Sequence, residues 1–157
     1  LNALTASRSK VADYAFTTLD PHLGDFYGYL LADIPGIIEG ASSGRGLGSK
    51  FLRHIERTAL IVHLVSAEQE KPVEAYRAIR KELDSFGKDL AGKEEILVLS
   101  KSDLVSPEDF EIKRKELEKA TGKQVHALSV IDEDQLKKFS DELSKVLKSK
   151  KVVPEAV

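Results

Sequence analysis

Asp33-Ile34-Pro35-Gly36 places a carboxylate at the end of an apolar run and follows it at once with a turn. Two explanations fit. In the plain one, Pro35 and Gly36 occupy the central positions of a β-turn that closes a strand. In the chemical one, Asp33 holds a water on a Mg²⁺ ion while the Gly36 N–H touches the terminal phosphate of a nucleotide. Glycine suits that contact because it lets the backbone come close. The tetrapeptide alone favours the turn.

Three further stretches bear on the choice. In Lys101-Ser102-Asp103, a carboxylate at Asp103 can accept from both N1–H and N2–H₂ of guanine. Adenine lacks that donor pair, and a site that demands a particular hydrogen-bond partner can discriminate by roughly 10⁴-fold or more. The Lys101 stem can lie along the base face. The plain alternative is a polar loop leading to a helix cap at Ser106. Ser129, in Leu128-Ser129-Val130, is either a capping serine or part of a loop whose backbone amide, at Val130, faces the guanine carbonyl. Phe16-Thr17-Thr18-Leu19-Asp20-Pro21 is either an extended loop before proline or a segment whose Thr18 hydroxyl ligates Mg²⁺. In the second case its backbone contacts the terminal phosphate and the loop orders only while that phosphate is present. Each signal alone is weak, but in this order, each beside the expected strand, they would seldom meet by chance.

Such residues need a frame. Alternation and apolar runs predict strands at His22–Phe26, Tyr29–Asp33, Ala59–Ser66, Glu95–Ser100 and Gln124–Ser129, the first two joined as a hairpin across Tyr27-Gly28. Ala59–Ser66 is nearly continuous apolar, as a strand buried on both faces would be. Helical spacing of Val73, Tyr76, Ile79, Leu83 and Phe86 predicts a helix over 71–86. Ser106 caps a second helix, with Pro107 at its first position and Gly122 near its end. Leu136, Phe139, Leu143, Val146 and Leu147 form the stripe of a third, capped by Asp132 with Gln135 three residues on. The segment from Lys148 reads as a basic tail, so the domain is expected over 1–147 and the tail over 148–157. Strands alternating with helices imply a mostly parallel sheet covered on both faces. In such folds ligands lie beyond the carboxyl ends of the strands, where Asp33, Ser100 to Asp103 and Ser129 all fall.

The composition narrows the class. The chain has 157 residues, 41% hydrophobic and 32% charged, with a net charge of −2. That suits one ordinary globular domain and gives no electrostatic case for broad nucleic-acid binding. There is no apolar run of the roughly 20 residues needed to cross a bilayer. Cysteine is absent, which excludes disulfides, thiolate metal ligands and a cysteine nucleophile; a cytoplasmic location is compatible with this. Position 1 is Leu rather than Met, so further sequence is expected upstream.

The stretch Val11 to Leu19 resembles the first switch of the Obg family of GTPases. Asp33-Ile34-Pro35-Gly36-Ile37-Ile38-Glu39-Gly40-Ala41, then Gly46-Leu47-Gly48 and Phe51 to Thr58, resembles its second switch and following helix. The resemblance runs from Leu1 to about Leu147. It implies a P-loop NTPase-like three-layer α/β/α fold and a slow GTP hydrolase that engages the large ribosomal subunit or its RNA, monomeric and away from membranes. By position, Thr18 and Asp33 match the Mg²⁺-associated residues, Gly36 the phosphate contact, Ser100, Lys101 and Asp103 the guanine motif, and Ser129 with Val130 the last base loop. Ile37 stands where many GTPases carry a water-orienting glutamine, which implies slow turnover.

Three departures from the family stand out. Its GxxxxGK[ST] phosphate loop and the strand before it do not occur in these residues. The two inner strands that would flank that strand are expected to present open edges, and these 157 residues alone are expected to bind GTP or GDP feebly, without the backbone nest and lysine that cradle phosphates. Ser100 replaces the family's asparagine, and its shorter side chain has less reach toward guanine N7. The hairpin at Tyr27-Gly28 is shorter than usual. A competing possibility is a non-enzymatic interaction module that has kept the fold and lost the nucleotide. Arg45, Lys50, Arg53 and Arg57, with Lys101, could also form an RNA-facing surface, though a solvated basic face explains them as simply.

Overall fold

A computed structural model describes residues 3–5, 10–11, 22–33, 58–86 and 92–150. Its strands are β1 (Lys10–Val11), β2 (His22–Phe26), β3 (Tyr29–Asp33), β4 (Ile61–Ser66), β5 (Glu95–Ser100) and β6 (Val125–Leu128). The helices are α1 (Pro72–Phe86), α2 (Pro107–Thr121) and α3 (Glu133–Ser149), with one 3₁₀ turn at Ser102–Leu104. β1, β2 and β3 form an antiparallel ribbon, while β4, β5 and β6 form a parallel sheet in that order. The hairpin turn falls at Tyr27-Gly28, with Phe26 paired to Tyr29. Both turn residues have positive φ, 50° and 86°, as a two-residue loop matched to strand twist requires. The Asp25 carboxylate accepts the Gly28 N–H at 3.1 Å, which helps hold Tyr27 in its strained conformation.

The parallel sheet is covered on both faces. Its strands run in sequence order, so right-handed crossovers bring α1 and α2 to one face. There Val65, Tyr76, Leu97, Leu99, Phe110, Leu117 and Val125 form a core. The alternate residues of β5, Ile96 and Val98, point the other way and pack with Leu128 and with Phe139, Leu143 and Leu147 of α3. Phe26 and Tyr29 of the ribbon join this second core. The architecture is therefore the expected three-layer α/β/α arrangement. The helix signals act as read: Ser106 accepts from the Asp109 N–H, and Gly122 ends α2 at φ 68°. α3 runs to Ser149, two residues into the segment read as tail.

β4 departs from its apolar sequence. His63 and Val65 are buried, but Leu64, on the other face of the strand, is 56% exposed. Among the described residues it pairs with β5 alone, and its two faces are not both covered. Among the described residues β3 and β4 do not pair with each other.

At the amino end of β5 lies a polar cluster with no counterpart in the sequence analysis. The Glu95 side chain is fully buried. It accepts from Tyr76 Oη at 2.7 Å, Lys123 Nζ at 3.0 Å and Arg80 at 3.2 Å, and it bonds His63 Nδ1 at 3.2 Å. Burial by itself would raise the Glu95 carboxyl, but the bonds from His63, Tyr76 and Lys123 outweigh it and hold the pKa at about 2. Burial, with the bond to Glu95, pushes the Tyr76 phenol up. The cluster joins β4, α1, β5 and the loop before β6.

Candidate functional site

At the opposite, carboxyl end of the parallel sheet, three loops are stitched together. Ser100 closes β5 and donates its hydroxyl to the Val65 carbonyl at 3.3 Å. The Ala67 N–H returns to the Ser100 carbonyl at 2.8 Å, and Lys113 of α2 donates to the Ala67 carbonyl at 2.7 Å. Lys101 then turns left-handed, φ 58° and ψ 40°. This is a costly conformation for a non-glycine residue, of a kind that clusters at ligand sites. Its ammonium pairs with Glu68 at 3.0 Å. An open groove of about 520 Å³ lies here, lined by Ser66, Glu68, Gln69, Glu70, Lys71 and Lys101.

Asp103 sits in the 3₁₀ turn with its carboxylate exposed. The Ser129 hydroxyl, itself 2% exposed, donates to Asp103 Oδ1 at 2.7 Å and accepts the Ile131 N–H at 3.3 Å. The loop after β5 and the loop after β6 are thus joined at the carboxylate, with one side of it left for solvent or a ligand. Val130, on the rim beside Ser129, is 70% exposed.

Gln135 corrects a detail of the helix cap. Asp132 Oδ1 accepts the Gln135 N–H at 3.0 Å, as a cap should. The Gln135 side chain does not complete a reciprocal capping box; its Oε1 accepts from the Ser102 hydroxyl at 2.8 Å. Ser102 of the loop after β5 and Gln135 of α3 are therefore joined in a way the sequence did not reveal. The one available signal was a hydroxyl lying between Lys101 and Asp103. Glu68 was likewise missed.

Of the residues named from the sequence, Ser100, Lys101, Asp103, Ser129 and Val130 come together at this end of the sheet. Asp33 ends β3, its backbone paired with His22, and its side chain is outside those described. Thr18, Gly36 and Ile37 lie outside the described residues, as do Arg45, Lys50, Arg53 and Arg57. Among the described residues there is no cluster of three or more His, Cys, Asp or Glu able to hold a metal. No helix there is long and apolar enough to cross a membrane.

Comparison with known proteins shows what the chain is similar to. A family described as 50S ribosome-binding GTPase matches residues 1–101. GTPase Obg 2 and GTPase Obg 1 of Anaplasma marginale (strain St. Maries) are each 50% identical over 137 residues, covering 85% of this chain and 42% and 39% of their own lengths. The chain thus spans about two fifths of these curated relatives. The cytosolic domain of the T. maritima FeoB iron transporter in a GDP form aligns with a TM-score of 0.65 at 19% identity, over 99% of this chain and 60% of that one. Its apo form gives 0.63 at the same identity and coverage. At such identity the likeness speaks to the fold alone, that of P-loop GTPase domains. With a family model matched over residues 1–101 and relatives half identical to it, the chain belongs to the Obg family of GTPases.

Proposed function

We propose that this chain is the guanine-nucleotide switch of a GTP-hydrolysing protein that engages the large ribosomal subunit, acting as a monomer in the cytoplasm. One observation supports this most directly: Asp103 is exposed at the carboxyl end of a parallel sheet and is aimed by the buried Ser129 hydroxyl at 2.7 Å. A carboxylate fixed this way offers acceptors to N1–H and N2–H₂ of guanine. Lys101 can lay its stem along the base, and the Val130 N–H can meet the base carbonyl. The family description and the relatives' names support the hydrolytic and ribosomal parts.

Thr18 and Asp33 would hold Mg²⁺, since a hydroxyl and a carboxylate form the all-oxygen set that hard cation prefers. When bound, the ion neutralises charge on the phosphates. The Gly36 N–H would contact the terminal phosphate. Ile37 can neither donate to nor accept from an attacking water, which fits slow intrinsic turnover.

The test is Asp103→Asn in the full-length protein. An asparagine amide presents a carbonyl to N1–H and a donor to the 2-carbonyl of xanthine. GDP affinity by calorimetry should fall at least about 100-fold while XDP affinity rises, on the scale expected when a demanded partner is lost. Unchanged GDP binding would dispose of the base assignment. A docking module without nucleotide has Ser100 in its favour, and GDP binding by the full-length protein would dismiss it.

A further inference from the structure

Ser100 is the last residue of β5, between β4 and β6 in the sheet. Its two neighbours in register are Ser66 and Leu128. Its hydroxyl hydrogen bonds toward β4, to the Val65 carbonyl at 3.3 Å. The base-selecting carboxylate is tied in the opposite direction, to the loop after β6, through Ser129. A serine hydroxyl has one proton to donate. Here that proton is committed to the sheet, on the side away from Asp103. The Ser100 carbonyl is also engaged, by the Ala67 N–H. The neighbouring donors are engaged too: the Lys101 ammonium with Glu68, and the Ser102 hydroxyl with Gln135.

We infer that this site reads guanine through its Watson–Crick edge alone, by Asp103 and the Val130 N–H, and leaves the purine N7 unread. The inference rests on the base assignment above and goes further. It states which purines the site accepts: those carrying N1–H and an exocyclic 2-amino group, whether or not position 7 is a nitrogen. An asparagine at position 100 would carry two amide protons and a longer reach, so it could bond the neighbouring strand and N7 together.

Calorimetry of the full-length protein with four nucleotides separates the possibilities. 7-Deaza-GDP should bind within about twofold of GDP, because a missing acceptor costs nothing where no donor faces it, and none among the described residues is free to do so. IDP, which lacks the 2-amino group, should bind roughly tenfold or more weakly, because half of the carboxylate pairing is lost. ADP should bind more weakly still. In Ser100→Asn, 7-deaza-GDP should fall about fivefold or more below GDP. A wild-type protein that binds 7-deaza-GDP tenfold more weakly than GDP would overturn the inference while leaving guanine selectivity intact. Equal binding of ADP and GDP would instead sink the base assignment, and the inference with it. The wild-type comparison stands even if the Ser100→Asn protein does not fold.

Discussion

One strand carries two carboxylates, one at each end, and they have opposite surroundings. Glu95 opens β5 beneath the sheet, fully buried, with four partners from three other parts of the chain. Asp103 lies just past the other end, exposed, and among the described residues it is engaged by one hydroxyl, that of Ser129. A carboxylate oxygen has room for about two hydrogen bonds. Glu95 is filled, so it can recognise nothing further and serves to bind elements together. Asp103 is oriented yet unfilled, which is what a recognition group needs. Charge at the amino end holds the fold, while the carboxylate left open lies at the carboxyl end, where ligands of parallel α/β sheets bind.

The sharpest way to break this comparison is Glu95→Ala. It should cost roughly 3–5 kcal/mol, because it strands the cationic and polar partners of a buried charge. A urea melt of the folded protein measures this, and a loss below about 1 kcal/mol would mean the cluster is incidental. GDP affinity in conditions where the variant is folded should change little, as the two carboxylates lie at opposite ends of the sheet.

Acid titration comes next. The Glu95 carboxyl titrates near 4.5 when unexceptional and at about 2 in the fold. A depressed folded pKa means that its stabilisation is complete above pH 4.5 and is lost as the pH falls toward 2. The shift corresponds to about 3 kcal/mol at 1.36 kcal/mol per unit. Tyr76 has the opposite sign. Its phenol is pushed up from 10, so its share is complete below pH 10 and fades above it. Stability followed by circular dichroism should therefore drop steeply between pH 4.5 and 2, and Glu95→Gln should flatten that limb. An unchanged slope in the variant would assign acid unfolding to other carboxylates.

The smallest expected effect is Ser129→Ala, which leaves Asp103 in place but unaimed. GDP should bind roughly 5–10-fold more weakly, on the order of 1 kcal/mol for one hydrogen bond. The ratio of GDP to IDP affinity should shrink along with it, which a merely structural loss would not produce. A retained ratio would show that Asp103 is oriented by something else.

The parts legible in the sequence were those set by neighbours along the chain. The Tyr27-Gly28 turn, the Ser106 and Asp132 caps and the Gly122 stop each depend on a few consecutive residues, and each forms where it was read. Lys101, Asp103 and Ser129 lie just past strand ends, where the strand reading puts them, and ligands of parallel sheets gather there. The Glu95 cluster was hidden because its members, His63, Tyr76, Arg80, Glu95 and Lys123, are scattered in sequence and share no period. Leu64 misled for a related reason: an apolar run reports what a strand can bury, and which neighbours cover it depends on the assembled sheet. Gln135 had the right spacing for its own helix, but a hydroxyl from another loop competed for its side chain.

That last bond makes α3 more than a cover for the sheet. With 17 residues at about 1.5 Å each, it is a rod of roughly 25 Å. One end grips the turn that bears Asp103 through Gln135 and Ser102, while Phe139, Leu143 and Leu147 seat its length. The helix therefore makes one piece of the turn that bears Asp103 and the core face that it covers.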